Sequence, residues 1–221
     1  MSLLIKEVQR LRSRFTSIDI DNIIISFIYT YMGAGILPTT IRNNKLFFLF
    51  GKENKFEDSA PGFSDFGGGT DNNETFLQTA VREGGEELTG FLGSDKDVKR
   101  LLTRHGTFTI DYPAEPNSKY GTYRTHIFPM DYDPYLELYY NNNQRFIQKR
   151  LDAEVIKKTK IFEKAEIRWI CEDELNRMRK EFRPFFLNII DSIMEQKTEI
   201  KKFIKRGVKK GTKNKTLKKR R

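Results

Sequence analysis

The sequence predicts an α/β (α+β) fold in which helices pack on both faces of a mixed β-sheet. Two observations predict it. Short segments rich in β-branched and aromatic residues recur along the chain between turns, which is typical of strands. Residues 182–196 place apolar side chains at helical offsets, and residues 75–89 place three carboxylates at helical offsets, so both segments are predicted to be helices.

The elements are predicted in order along the chain. Residues 23–31 and 33–41 are rich in β-branched and aromatic side chains and predict two strands. The residues at 42–44 predict a turn, after which the chain returns. The other predictions are strands at 45–50, 106–110, 122–129 and 165–171, loops at 56–64 and 111–120, a connector with a short helix at 95–104, a polar stretch with a turn at 131–143, and a helix at 146–160.

The length and composition predict one domain with extensions at both ends. Of the 221 residues, 1–21 are predicted to form an amphipathic helical extension, 22–199 the folded domain and 200–221 a basic tail. A single cysteine, Cys171, excludes an intrachain disulfide and is typical of a reducing compartment, so we expect a cytoplasmic protein. We expect no membrane span, since no apolar run approaches the roughly 18 residues that one needs.

The positive charge is concentrated at the C-terminal end. The chain has a net charge of +10, and residues 200–221 hold 12 of its 40 Lys and Arg but none of its 30 Asp and Glu. The rest of the chain is therefore close to neutral. Such a charged segment with few apolar residues is predicted to be disordered. It is expected to contact RNA or another polyanion, to act as a nuclear address, or only to aid solubility.

A glycine-rich turn followed by carboxylates dominates residues 66–93. The turn has three consecutive glycines at 67–69, and in a helix Glu83 lies on the same face as Glu86 and Glu87. Three like charges on one face destabilise a helix unless a cation neutralises them, and Mg²⁺ or Mn²⁺ suits oxygen ligands. Glycines let the backbone approach a phosphate closely. Together these features indicate metal-assisted cleavage of a phosphorus–oxygen bond.

This stretch resembles the signature box of the Nudix hydrolases. The box has Gly, five residues, Glu, seven residues, Arg-Glu, an apolar residue, any residue, Glu-Glu, any residue, Gly and an apolar residue. Three positions depart from the usual pattern: Gly84 replaces an aliphatic residue, Thr89 replaces the last Gly with Gly90 one place late, and Phe66 replaces a frequent Pro. The positions in register are Gly68, Glu74, Arg82, Glu83, Glu86 and Glu87.

The resemblance implies a Nudix-like α/β/α sandwich over about residues 23–196 and a site that binds Mg²⁺ or Mn²⁺. By the resemblance, Glu83, Glu86 and Glu87 are metal ligands and catalytic residues, and the Gly68 carbonyl is a further ligand. Glu163 precedes a predicted strand that contains Trp169, where many members place an acid that serves as ligand or general base.

Other residues are expected to have supporting roles. Arg82 is expected to orient a carboxylate of the box, such as Glu74. Gly67, Gly69 and Lys52 are expected to bind substrate. Glu166 is the reserve for the role of Glu163, and Gly84 is interpreted as a point of close backbone packing or of a softer helix.

Several substrates remain open. The basic tail favours a capped messenger RNA, from which the enzyme would release a methylated guanosine diphosphate. The composition is typical of an AT-rich genome, and large DNA viruses with such genomes carry Nudix decapping enzymes. The triple glycine favours a diphosphoinositol polyphosphate or a dinucleoside polyphosphate, and a general nucleotide pyrophosphatase or a binding protein without catalysis also remains. Aromatic candidates for stacking a cap base are Tyr120, Tyr123, Tyr132, Tyr135, Tyr139 and Tyr140.

Overall fold

The computed structural model of the chain describes residues 32–57, 60–71, 73–112, 121–159 and 162–218, with side chains up to residue 207. The predicted helical extension at 1–21, the predicted strand at 23–31 and Tyr120 lie outside the described residues. Within the described part of the chain, no helix combines the length and the apolar character that crossing a membrane requires.

The described strands form one seven-stranded mixed sheet. Strand β1 lies at its centre, antiparallel to β2 and β4 and parallel to β6, while β5 pairs with β6 and both β3 and β7 pair with β2. The mixed sheet predicted from the sequence is therefore confirmed. The strands are β1 (Gly33–Arg42), β2 (Lys45–Glu53), β3 (Phe63–Ser64), β4 (Phe66–Gly69), β5 (Phe108–Tyr112), β6 (Tyr123–Pro129) and β7 (Lys164–Cys171).

Helices cover both faces of this sheet, as predicted. The strands alternate between faces, so Ile36 and Leu49 pack on one helical layer while Leu37 and Phe48 pack on the other. The first layer contains α1 to α3, and the second contains α5 and α6. The helices are α1 (Phe76–Glu87), α2 (Asp95–His105), α3 (Pro134–Arg150), α4 (Ala153–Thr159), α5 (Leu187–Glu195) and α6 (Lys197–Lys218).

The turn predicted at 42–44 is a tight hairpin. Asn43 and Asn44 have φ angles of 47° and 60°, and Arg42 pairs directly with Lys45. Two consecutive residues with positive φ form the two-residue turn that matches the twist of antiparallel strands, and asparagine tolerates this conformation well.

The turn predicted within the polar stretch at 131–143 is wrong, because residues 134–143 belong to helix α3. Asp133 caps the helix by accepting a hydrogen bond from the Tyr135 backbone at 2.8 Å. Leu136, Tyr140 and Gln144 recur at intervals of four and form the buried face. The asparagines had suggested a turn, but the Asn141 side chain hydrogen-bonds the backbone N–H and carbonyl of Ile167 at 2.8 and 2.9 Å.

The disordered tail predicted from residue 200 is also wrong at its start. Helix α6 runs through Lys218, and Ile200 and Ile204 are fully buried against the sheet. Gly207 lets the helix approach strand β6, since a Cβ there would lie 2.4 Å from Pro129 Cγ. The isoleucines share one helical face, and that apolar face anchors a segment whose composition is otherwise basic.

Three further boundaries differ from the predictions. The connector at 95–104 is a full helix, α2, which ends at His105. The segment predicted as one helix over 182–196 contains a 3-10 turn before α5 begins at Leu187. The helix predicted over 146–160 is divided between the end of α3 and α4.

Candidate metal centre

The helix that carries the box, α1, is capped at both ends. At its start, Thr75 and Gln78 form a capping box, in which the side chain of each accepts a hydrogen bond from the backbone N–H of the other. At its end, the Thr89 N–H donates to the Glu86 carbonyl at 2.9 Å and the Gly90 N–H to the Gly85 carbonyl at 3.1 Å. These two bonds form a Schellman motif.

Both residues after the helix have left-handed backbones. The φ angle of Thr89 is 48° and that of Gly90 is 74°, so Thr89 shares the left-handed conformation of the glycine that follows it. A β-branched residue is strained there.

Gly84 marks close packing of α1 on the sheet. A Cβ at this position would lie 2.4 Å from Cδ1 and 2.8 Å from Cγ1 of Ile36, on strand β1. Gly68, on strand β4, also allows close packing, because a Cβ there would lie 2.6–2.7 Å from the Glu83 carboxylate. The two glycines therefore let the helix and its carboxylate lie directly against strands β1 and β4.

Three carboxylates converge at the end of α1. Each of Glu83, Glu87 and Glu163 offers a ligand oxygen, and these oxygens all lie within 4.8 Å of one another. Glu83 and Glu87 are buried, with 9% and 3% of their surfaces exposed, and Glu163 is half-buried. Asn54 fixes the third position, since its backbone N–H donates to the Glu163 carbonyl and its side chain donates to the Phe162 carbonyl, both at 2.8 Å.

The environment of the cluster disfavours three unneutralised carboxylates. Burial raises the pKa of Glu87 to about 8, although Lys164 opposes the rise. Burial also raises the pKa of Glu83 to about 7 against the effect of Arg82, and burial followed by the Glu57 charge raises the pKa of Glu163. Among the described residues, the Oε2 atom of Glu87 is buried without a hydrogen-bond partner. An oxygen-only donor set with such an atom fits a hard divalent cation.

Arg82 connects the other acids of the box. Its Nε and Nη2 donate to the two carboxylate oxygens of Glu74, both at 3.0 Å, so the contact expected from the sequence is present. Its Nη1 donates to Glu83 at 2.7 Å and to Glu86 at 3.2 Å. Glu86 is exposed and stands outside the three-carboxylate group found among the described residues.

The residues expected to bind substrate differ in their surroundings. Gly67 is enclosed, because a Cβ there would lie 2.3 Å from both the Gly35 Cα and the Tyr123 hydroxyl, whereas Gly69 has open space. The Lys52 ammonium lies 3.7 Å from the Glu166 carboxylate in a half-exposed ion pair. Glu166, the reserve for Glu163, therefore pairs on the sheet and is not in the cluster.

Two of the tyrosines considered for base stacking are engaged inside the protein. The Tyr123 hydroxyl donates to Asp65 at 2.8 Å, and the Tyr140 hydroxyl donates to the Glu87 carbonyl at 2.9 Å. Tyr132 packs on Trp169 with ring centroids 5.6 Å apart. Tyr135 and Tyr139 are exposed on α3, and their stacked rings lie 5.9 Å apart.

Several residues beside the cluster were missed by sequence reasoning. Lys164 is fully buried between Glu53 and Glu87. Asp65 is buried and accepts hydrogen bonds from Tyr123 and Thr125, and burial raises its pKa to about 6. One signal was available for the lysine, since it stands next to Glu163 at the start of a predicted strand. Its partner Glu53 is 111 positions away, so the pairing itself could not be predicted.

No family model matches the sequence, and no curated protein matches it. Among solved structures, the chain is similar to a Nudix hydrolase from M. smegmatis, RenU, with 18% identity over 77% of this chain and 88% of that one and a TM-score of 0.48. A bifunctional NMN adenylyltransferase/ADP ribose pyrophosphatase from Francisella tularensis shares 17% identity over 80% of this chain and 47% of its own, with a TM-score of 0.44. A C. elegans Ap4A hydrolase shares 16% identity over 67% and 84%, with a TM-score of 0.36.

Proposed function

We propose that this chain is a Nudix hydrolase that uses a divalent cation and water to split a diphosphate linkage. The observation that carries the proposal is the group formed by Glu83, Glu87 and Glu163, whose ligand oxygens lie within 4.8 Å of one another. These residues come from the box helix and from a loop 76 positions further along, so the fold assembles a site that neither segment contains alone.

Glu83, Glu87 and Glu163 would hold Mg²⁺ or Mn²⁺, with the Gly68 carbonyl and Glu86 as further candidates. When bound, the ion would offset the negative charge of a diphosphate and lower the pKa of a water molecule. The chain's own residues then have separate tasks. Arg82 holds Glu83 in place through its 2.7 Å hydrogen bond. Glu163 is the candidate general base, because it is half-buried and its pKa is raised by burial and by Glu57.

Within this activity, the substrate that we propose is capped RNA. Two features of the chain support it. Tyr135 and Tyr139 present exposed, stacked rings, and aromatic faces bind nucleic-acid bases. The sequence after Gly207 holds eight Lys and Arg and no Asp or Glu, and such a segment binds phosphates through its charge. The triple glycine favours a diphosphoinositol or dinucleoside polyphosphate as the alternative.

The test is release of product from cap-labelled RNA in the presence of Mg²⁺ or Mn²⁺. We expect methylated guanosine diphosphate from the parent chain and none from Glu87→Gln. The matched control is Glu195→Gln, which removes an exposed carboxylate at the end of α5 and should leave the rate unchanged. Absence of product from the parent would reject capped RNA, and the same preparation would then be assayed on diphosphoinositol and dinucleoside polyphosphates.

The contribution of the basic segment is tested separately. Because Ile200 and Ile204 are part of the core, the truncation must begin after Gly207 and remove residues 208–221. We expect weaker RNA binding and a flatter dependence of log affinity on log salt, by roughly 0.7 for each phosphate no longer neutralised on a single strand. An unchanged slope would show that this segment does not hold RNA.

A further inference from the structure

Lys164 is a fully buried lysine at the edge of the carboxylate cluster. Its ammonium donates to Glu53 Oε2 at 2.7 Å and lies 2.9 Å from Glu87 Oε1, and none of its surface is exposed. Glu53 is nearly as buried and also accepts a hydrogen bond from Arg183 at 3.2 Å. A charge is expensive to bury, and it persists in an interior only where its partners are well placed.

The surrounding structure leaves room for the Lys164 side chain and holds the Lys164 backbone close to that of Glu87. A Cβ at Gly51 would lie 2.9 Å from Cγ and 3.0 Å from Cδ of Lys164, so the missing side chain on β2 makes the channel that the lysine stem fills. The Tyr140 hydroxyl lies 2.9 Å from the Glu87 carbonyl and 3.4 Å from the Lys164 carbonyl. This bridge ties the end of α1 to the start of β7 and sets the distance that the lysine spans.

Lys164 engages only one of the two carboxylate oxygens of Glu87. Oε1 is engaged by Lys164, while Oε2 is buried and has no hydrogen-bond partner among the described residues. The carboxylate therefore cannot rotate freely, and one oxygen remains for the site that Glu83 and Glu163 complete.

We propose that Lys164 is a positioning residue for the metal site, which locks Glu87 in the orientation that presents Oε2 alone to the cation. This inference rests on the proposed function, since it assumes that the cluster binds a metal. Groups that hydrogen-bond a metal ligand orient it, and their loss weakens metal binding by about 10–100-fold.

A purely electrostatic role for Lys164 makes the opposite prediction. If the lysine only balanced charge, its removal would leave the ionised carboxylates more negative and would draw a cation more strongly wherever the pH keeps Glu87 ionised, since Lys164 also opposes the rise in the pKa of Glu87. If it positions Glu87, its removal releases the carboxylate and weakens binding at every pH. The sign of the change in affinity, measured where the affinity no longer rises with pH, separates the two.

The experiment is a Mn²⁺ titration of the metal-free full-length chain, followed by calorimetry and by the electron paramagnetic resonance signal of free Mn²⁺. We expect Lys164→Met to bind Mn²⁺ about 10–100-fold more weakly than the parent. The matched control is Lys45→Met, which loses an equal charge from an exposed ion pair with Asp173 and should bind as the parent does. Equal or tighter binding by folded Lys164→Met would overturn the positioning role.

If Lys164→Met does not fold, two chemically modified variants test the positioning role instead. Lys164→Cys is made together with Cys171→Ser, alkylated while unfolded with either 2-bromoethylamine or iodoacetamide, and refolded. The first reagent restores an ammonium on a side chain of lysine's length, and the second gives a neutral amide of similar length. We expect parent-like Mn²⁺ affinity only with the ammonium, and equal affinity of the two products would overturn the proposal.

Failure of this inference can be told apart from failure of the proposed function. If the parent and Glu87→Gln take up Mn²⁺ equally, the cluster is not the metal site and both proposals are wrong. If Glu87→Gln loses Mn²⁺ binding while Lys164→Met retains it, the metal site stands and only the role of Lys164 is rejected.

Discussion

Replacing Gly84 by alanine should destabilise the protein, although alanine is the better helix former. The new methyl group would lie 2.4 Å from Ile36 Cδ1 and 2.8 Å from Cγ1, and Ile36 is fully buried. Overpacking of this kind costs about 1–3 kcal/mol, and we place this contact in the upper half of that range because it is so short. The gain in helix propensity offsets about 1 kcal/mol. The expected net loss in the free energy of unfolding is about 1–2 kcal/mol.

The neighbouring glycine provides the control. A Cβ at Gly85 would meet only the Asp95 carboxylate, at 3.0 Å, so Gly85→Ala should stabilise the protein by up to about 1 kcal/mol. Urea unfolding of both variants measures the difference, which we expect to be about 1–3 kcal/mol.

The clash itself can be relieved. Ile36→Val removes Cδ1, the closest atom, and should reduce the cost of Gly84→Ala in a double-mutant cycle. Equal stabilisation by Gly84→Ala and Gly85→Ala would refute the close packing of α1 on β1.

Three further predictions concern stability. Thr89→Gly should stabilise by about 1 kcal/mol in urea unfolding, because it removes a β-branched residue from a left-handed backbone; a loss would contradict the strain. His126 has a pKa lowered to about 4 by burial and then by Arg124, so the contribution of His126 to stability should fall by up to about 3 kcal/mol between pH 6.5 and pH 4, as the unfolded chain takes up the proton first. The parent should therefore lose stability relative to His126→Asn as the pH falls, and parallel curves would contradict it. The comparison with the variant is needed because Asp65, Glu83 and Glu87, whose pKa values are raised by burial, work in the opposite direction. Tyr123→Phe should cost about 1–3 kcal/mol, because Asp65 loses a buried donor; an unchanged midpoint in thermal unfolding would argue against that hydrogen bond.

The parts of the molecule that depend on local sequence were predictable. Asn43 and Asn44 predict the hairpin turn, and the spacing of Glu83 and Glu87 predicts that both lie on one helical face. Glu163 is expected at the site by the family resemblance, which places an acid before a strand that contains Trp169, and the structure brings it to the cluster. Gly84 was interpreted as a point of close packing or of a softer helix, and its contact with Ile36 favours the first.

The parts that depend on distant contacts were not predictable. The run of asparagines at 141–143 suggested a turn because the partner of Asn141, the backbone of Ile167, is 26 positions away. The basic composition after residue 200 predicted disorder, because the stabilising contribution of Ile200 and Ile204 comes from packing against the distant sheet. Glu86 is expected among the ligands by the family resemblance, and the structure shows it exposed, with its carboxylate accepting a hydrogen bond from Arg82.

The most direct test of the proposed metal-dependent activity is the rate of Mn²⁺-dependent hydrolysis by the parent and by Glu87→Gln on three substrates: capped RNA, a diphosphoinositol polyphosphate and a dinucleoside polyphosphate. Glutamine keeps the shape of the side chain and an oxygen for Lys164, so the fold should survive while the charged ligand is lost. We predict that the parent splits at least one of the three and that the variant falls to the rate measured without metal. Turnover by Glu87→Gln at the parent's rate, or no turnover of any substrate by the parent, would contradict the account.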